Sequence, residues 1–217
     1  MSIEAAYSED YFERGVAKGI SGYTDYRWLP ERTIPMVAHM CERLGIRTGD
    51  NVLDFGCAKG FVVLAMKLLY RQAWGVDVSK YAIDNAHQKV ADRCTLIEPK
   101  GEIPVMCGRP TYDWCIAKDT LEHVPHEDMD AVLKTIRDAC NKAYVVVPLG
   151  ENGSYVVPSY EHDATHVIRE DLDWWVEKVK GAGFDVLDYS HDARFVKENY
   201  ASWERGNGFL ELRVSAE

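Results

Sequence analysis

The stretch Asp54-Phe-Gly-Cys-Ala-Lys-Gly60 constrains the fold most. It follows the apolar Asn51-Val-Leu53 and leads into Phe61-Val-Val-Leu-Ala-Met-Lys-Leu-Leu69, so a short strand, a tight glycine turn and a helix start lie in direct succession. Gly56 and Gly60 carry no Cβ to keep a ligand off the backbone, and the first turn of the helix offers unpaired N–H groups. Twenty-one residues after Gly56, Trp74-Gly-Val-Asp77 reads as a second strand ending in a carboxylate. A carboxylate at that place can accept hydrogen bonds from both hydroxyls of a ribose, so the pair of strands implies an adenosine-containing cofactor.

The order of elements around this pair sets the fold class. Pro30 opens a helical pattern to about Leu44, with Ile34, Val37, Met40, Cys41 and Leu44 on one face and Gly45 as the stop. The first strand is Val52 to Phe55, its helix Phe61 to Tyr70, and the second strand Ala73 to Asp77. Ser79 then caps a helix running to about Val90. Cys94 to Ile97 and Tyr112 to Ala117 read as strands three and four. A helix from about Glu127 to Ala139 leads to the buried run Ala143-Tyr-Val-Val-Val147. Strands separated by helices imply a parallel sheet with helices on both faces. After a helix over Arg169 to Ala182, Phe184 to Tyr189 and Gly208 to Val214 are strands with no full helix pattern between them, so the last one is expected to be antiparallel.

Bulk properties exclude several function classes. At 217 residues the chain suits one globular domain, residues 31–217, preceded by an aromatic lid over residues 1–30 that holds a short helix and a glycine-jointed flap. The formal net charge of -10 repels phosphate backbones, so no nucleic-acid partner is expected. No apolar run approaches the roughly 20 residues that span a bilayer, and the N-terminus has no signal-like pattern. The six cysteines form no Cys-x-x-Cys pair, and several sit in apolar runs such as Trp114-Cys-Ile-Ala117, as reduced core residues do. A cytoplasmic protein, monomer or homodimer, with no membrane contact is the expectation.

The seven-strand order, glycine turn and antiparallel ending resemble the class I S-adenosylmethionine-dependent methyltransferases, over roughly Thr33 to Val214. The Leu-Glu-His run in Asp119-Thr-Leu-Glu-His123-Val-Pro and the segment Asp163-Ala-Thr-His166-Val are similar to those of small-molecule members. The resemblance implies a Rossmann-like fold with S-adenosylmethionine as cofactor. It also implies that Asp54, Gly56, Ala58 and Gly60 shape the pocket for the methionine and ribose parts, that Asp77 binds the ribose with Val78 also at the cofactor, and that Ala117-Lys118-Asp119 lies beside the methionine moiety and methyl group. Tyr23 is expected at the cofactor as well. Where the family usually has its middle glycine, this chain has Ala58, and the adenine-contacting position is blurred in Glu98-Pro-Lys-Gly-Glu102.

Methyl transfer from a sulfonium is an in-line displacement, so alignment and exclusion of water carry most of the catalysis. A hydroxyl acceptor must also lose its proton, and His166 and His123 are the general-base candidates, with Asp119 a third catalytic candidate. The bland alternative for each histidine is a ring satisfied by backbone, and for Asp119 a turn or cap. Tyr26, Trp28, His162, Tyr200 and Trp203 are expected to line an acceptor pocket, aromatic with polar handles as suits a sugar or nucleotide-sugar ring. His162 and His166 have a His-x3-His spacing, but Pro158 and the polar run after it argue for a loop, so no metal is expected. The resulting expectation is an S-adenosylmethionine-dependent O-methyltransferase acting on a small molecule. The alternatives are an NAD(P)-dependent oxidoreductase, whose fingerprint wants glycines where Ala58 and Phe61 stand, and a non-catalytic cofactor-binding protein.

Overall fold

A computed structural model describes residues 3–197 and 202–216, so Tyr200 lies outside the described residues. Seven strands form one sheet: β1 (Asn51–Phe55), β2 (Gln72–Asp77), β3 (Cys94–Leu96), β4 (Tyr112–Lys118), β5 (Cys140–Pro148), β8 (Phe184–Ser190) and β9 (Asn207–Val214). Their order is β3-β2-β1-β4-β5-β9-β8. All pairs from β3 to β5 are parallel, and β9 runs antiparallel to both neighbours. Between β5 and β8 the chain makes a small hairpin, β6 (Gly150–Glu151) with β7 (Ser154–Tyr155).

The central strands are apolar on both faces because both faces are covered. Along β4, Trp114 and Ile116 point to one layer and Cys115 and Ala117 to the other, as the two-residue pleat requires. The first layer packs against α4 (Pro30–Leu44) and α5 (Phe61–Leu68) through Val37, Met40, Leu64 and Met66. The second packs against α7 (Met129–Ala139) and α8 (Leu172–Gly181) through Leu133, Ile136, Trp175 and Val179. All six cysteines are free, five of them buried.

Two local expectations fail for identifiable reasons. The helix capped by Ser79, α6 (Lys80–Asp84), stops six residues short of Val90. Its continuation is diverted because His87 N–H bonds the Lys59 carbonyl in the glycine turn at 2.9 Å, and Val90 N–H then bonds the His87 carbonyl at 2.8 Å. The N-terminal segment holds three short helices, α1 (Ile3–Ala6), α2 (Glu9–Glu13) and α3 (Gly15–Lys18), before an extended return to α4. Tyr11 and Phe12 are buried in a small aromatic cluster with Tyr7, Tyr23, Tyr26 and Tyr81. This cap lies across the carboxyl ends of the strands. Among the described residues, no helix is long and apolar enough to cross a membrane.

Candidate active site

The glycine turn is tied to β2 by its backbone. Gly56 N–H and Cys57 N–H both donate to the Val76 carbonyl, at 2.9 and 3.0 Å. Asp77 accepts from Ala58 N–H with one carboxyl oxygen and from Ser79 N–H with the other, each at 2.7 Å. Ala58 adopts φ +47, a left-handed conformation that favours glycine, and the Asp77 bond holds it there. Val78 lies between, and its N–H also favours the Asp77 anion. Asp54, 5% exposed, is pushed up to about 7 by burial and by the Asp77 charge, against the pull of Lys118.

The glycines also make room for the protein itself. A Cβ on Gly56 would lie 2.4 Å from the Thr120 side chain, and one on Gly60 2.7 Å from Cys94 Sγ. Thr120 Oγ1 donates to the Phe55 carbonyl at 3.1 Å, so it stitches the β4 loop to the glycine turn. With φ +81 at Gly56, Gly56→Ala is expected to cost about 1–3 kcal/mol of stability, measured by urea unfolding. An unchanged unfolding midpoint would contradict this packing.

At the end of β4, Asp119 takes φ +54 and its N–H donates to the Val146 carbonyl at 2.9 Å. Its carboxylate is clamped between Lys118 Nζ at 2.5 Å and Lys197 Nζ at 2.6 Å. Burial works against its charge, but the two lysines prevail and hold Asp119 well below the usual carboxylate range. The following turn, Leu121–His123, brings in Glu122, which is 1% exposed. Its Oε2 has no hydrogen-bond partner among the described residues. Burial, with the Asp119 charge, pushes Glu122 up to about 8, and Lys197 opposes the rise.

His166 arrives from the segment after the β6–β7 hairpin, which Tyr155 Oη anchors by donating to the Ile168 carbonyl at 2.7 Å. The His123 and His166 rings stand edge to face with centroids 4.7 Å apart. His166 Nδ1 is 2.9 Å from the Tyr160 carbonyl, which can only accept, so Nδ1 carries the proton and Nε2 the lone pair. His123 Nδ1 is 2.8 Å from Thr165 Oγ1, whose own hydrogen goes to Asp163 Oδ1 at 2.6 Å. His123 therefore also donates from Nδ1 and keeps a bare Nε2. Burial lowers both rings, and His123, with His166 beside it, falls to about 4. Nε2 of His166 lies 3.9 Å from Glu122 Oε1.

The N-terminal cap closes over both halves. Tyr11 Oη donates to Asp163 Oδ2 at 2.8 Å, Ser79 Oγ donates to the Tyr7 carbonyl at 2.7 Å, and Lys59 Nζ pairs with Glu13 at 2.5 Å. Tyr7 stands edge-on to His123. Tyr26 stacks on Phe61, and its hydroxyl is raised by burial and by the charges of Asp54 and Asp77. Tyr23, 4.7 Å from Tyr26 between ring centroids, is raised by burial, by Tyr26 and then by Asp119, Asp163 and Glu122. The other expected acceptor-pocket residues have the following surroundings. Trp28 packs between Phe61 and His87, His162 is exposed at the end of a short turn, and Trp203 is 41% exposed. Glu122, Lys197, Thr165 and Tyr11 were not singled out from the sequence. Glu122 left a trace as the acid inside Leu-Glu-His and Thr165 as a member of Asp163-Ala-Thr-His166.

A parallel sheet with this strand order, a carboxylate-braced glycine turn after β1 and a polar cluster after β4 define a class I S-adenosylmethionine-dependent methyltransferase. The sequence model of the methyltransferase domain family matches residues 30–189, and the chain belongs to that family. No curated protein matches the sequence. Solved structures share the fold. One is a chain of the Haloferax volcanii complex of the Trm112 methyltransferase activator with a methyltransferase, with TM-score 0.67, 16% identity, and coverage of 86% of this chain and 92% of that one. The glycopeptide N-methyltransferase MtfA, complexed with sinefungin, follows at TM-score 0.61 and 13% identity, covering 85% and 87%. The Burkholderia thailandensis 1,6-didemethyltoxoflavin-N1-methyltransferase, with its acceptor and S-adenosylhomocysteine bound, gives 0.61 and 16%, covering 86% and 80%.

Proposed function

We propose that this methyltransferase acts on a hydroxyl of a small-molecule acceptor, a sugar or nucleotide-sugar type ring being the preferred class. The observation that carries the reading is the pair of imidazoles, His123 after β4 and His166 after the β6–β7 hairpin, both protonated on Nδ1 and both presenting a bare Nε2. A hydroxyl needs such a group to lose its proton, whereas a free amine already has its nucleophilic lone pair. The tyrosine roof supplies apolar walls with hydroxyl handles.

The cofactor side fits S-adenosylmethionine through its buried carboxylates and braced turn. When bound, the cofactor supplies a methyl group on a sulfonium, already electrophilic. Asp77 accepts from Ala58 N–H with one oxygen and from Ser79 N–H with the other, and its remaining lone pairs would accept from the ribose hydroxyls. Asp54 would ionise against the positive charge of the methionine end when the cofactor binds. Lys118 and Lys197 fix Asp119, which positions the β4 loop rather than taking a proton. We assign Tyr26 to the cofactor side and Tyr23 to the acceptor side, the reverse of the expectation from sequence, because of the carboxylates each ring faces. The neighbour proteins act on a glycopeptide and a toxoflavin precursor, which supports the small-molecule class.

Calorimetry with S-adenosylmethionine, S-adenosylhomocysteine and NAD tests the cofactor half, and the expected result is binding of the first two and none of NAD. A homocysteine-release screen over hydroxyl and amine acceptors tests the rest. Turnover confined to amines would overturn the O-methylation reading.

A further inference from the structure

We propose that Glu122, His123 and His166 form a binding site for a divalent transition-metal ion. The role given to the ion, though not its binding, rests on the proposed function. One nitrogen from each histidine and one carboxylate oxygen of Glu122 all lie within 4.8 Å of one another. Two donors on one such ion stand at most about 4.2 Å apart, given metal–ligand distances of about 2.1 Å. His166 Nε2 and Glu122 Oε1, at 3.9 Å, already meet that limit, and the donor nitrogen of His123 lies within 4.8 Å of both ligand atoms.

Three features separate this cluster from a chance meeting of polar groups. Glu122 is 1% exposed and its Oε2 is unpartnered, a costly state for a buried carboxyl that a cation removes. Lys197, the nearby cation, is committed to Asp119. Both rings are locked by their Nδ1 hydrogens, His166 to a backbone carbonyl and His123 through Thr165 to Asp163, which is how metal-bound imidazoles are oriented. Tyr11 extends the second arrangement into the cap by donating to Asp163. Two imidazoles and one carboxylate suit zinc, manganese, iron or cobalt better than magnesium or calcium, and three protein donors leave coordination positions open. With an ion bound, the two imidazoles would serve as its ligands instead of as bases, and an acceptor hydroxyl in an open position would lose its proton to solvent because the ion would lower its pKa. The proposed metal site therefore lies with Glu122, His123 and His166, not with the His162 and His166 pair of the His-x3-His spacing. His162 is exposed and is not part of the cluster.

Titration of chelator-treated full-length protein with Co²⁺, followed by visible absorption and calorimetry, tests the site. One Co²⁺ per chain is expected, with d–d bands of nitrogen and oxygen ligation. Glu122→Gln and His166→Ala should each weaken binding at least tenfold while S-adenosylmethionine binding persists. Absence of stoichiometric binding to the parent protein, affinity indifferent to both substitutions, or a thiolate-to-cobalt band from Cys57 or Cys94 would overturn the proposal. Cofactor binding is read on the same samples. Its loss in the parent protein would count against the proposed function, and leaves the cobalt result to decide the metal site.

Discussion

His166→Ala is expected to lower turnover by about 10²–10⁴-fold and leave S-adenosylmethionine affinity within about twofold of the parent protein. His166 lies on the segment after the β6–β7 hairpin, with its lone pair turned toward Glu122. None of the contacts that brace the glycine turn runs through it. Asp77→Ala should do the opposite. It removes an acceptor of two backbone N–H groups together with the ribose contacts, and a loss of about 3 kcal/mol, roughly 100-fold in cofactor affinity, follows. Single-turnover kinetics with an acceptor from the screen, beside calorimetry, separates the two. Equal loss of cofactor binding in both variants would refute the division of the site into a donor half and an acceptor half.

The second large effect concerns Asp54. Its carboxyl is held up to about 7 in the folded protein against 3.8 as its ordinary value. The native state therefore binds more protons than the unfolded chain between those values, and stability falls as pH rises from about 4 through 7. Asp54→Asn removes that loss, so the cofactor-free variant should be more stable than the parent protein at pH 8, by up to roughly 4 kcal/mol. Cofactor binding runs the other way. Affinity in the parent protein should tighten as pH rises through about 7, because the ionised carboxylate faces the positive charge of the methionine end, and the variant should bind weakly with a flat profile. Thermal unfolding at pH 5 and pH 8 with matched binding titrations checks both signs. An Asp54→Asn variant less stable than its parent at pH 8 would show that Asp54 is held by contacts other than solvent exclusion.

The strands and the cofactor half were legible because their signals are local. Asn51 to Gly60 places strand, turn and helix within ten residues, and Asp77 closes the next strand. Even the antiparallel ending could be read from the missing helix pattern before β9. The acceptor half was only partly legible. His123 and His166 stood out as residue types, but their shared tautomer depends on the Tyr160 carbonyl and on Thr165, which no periodicity reveals. Lys197 reaches Asp119 across 78 residues, and Tyr11 reaches Asp163 across 152, so neither pairing has a local signature. Trp28 is the converse case. An aromatic beside two tyrosines resembles a pocket wall, yet its ring packs on Phe61 and His87.

The placement of β9 has a consequence for the growing chain. Residues 207–214 form the strand that sits between β5 and β8 and pairs with both. Until that stretch leaves the ribosome, β8 has no strand to join, and the long apolar edge of β5 stays open to any other chain that can pair with it. Translation that stalls before Asn207 therefore yields a sheet whose donor half is complete in sequence yet whose exposed border invites aggregation. Pairing of β9 with β5 closes that edge.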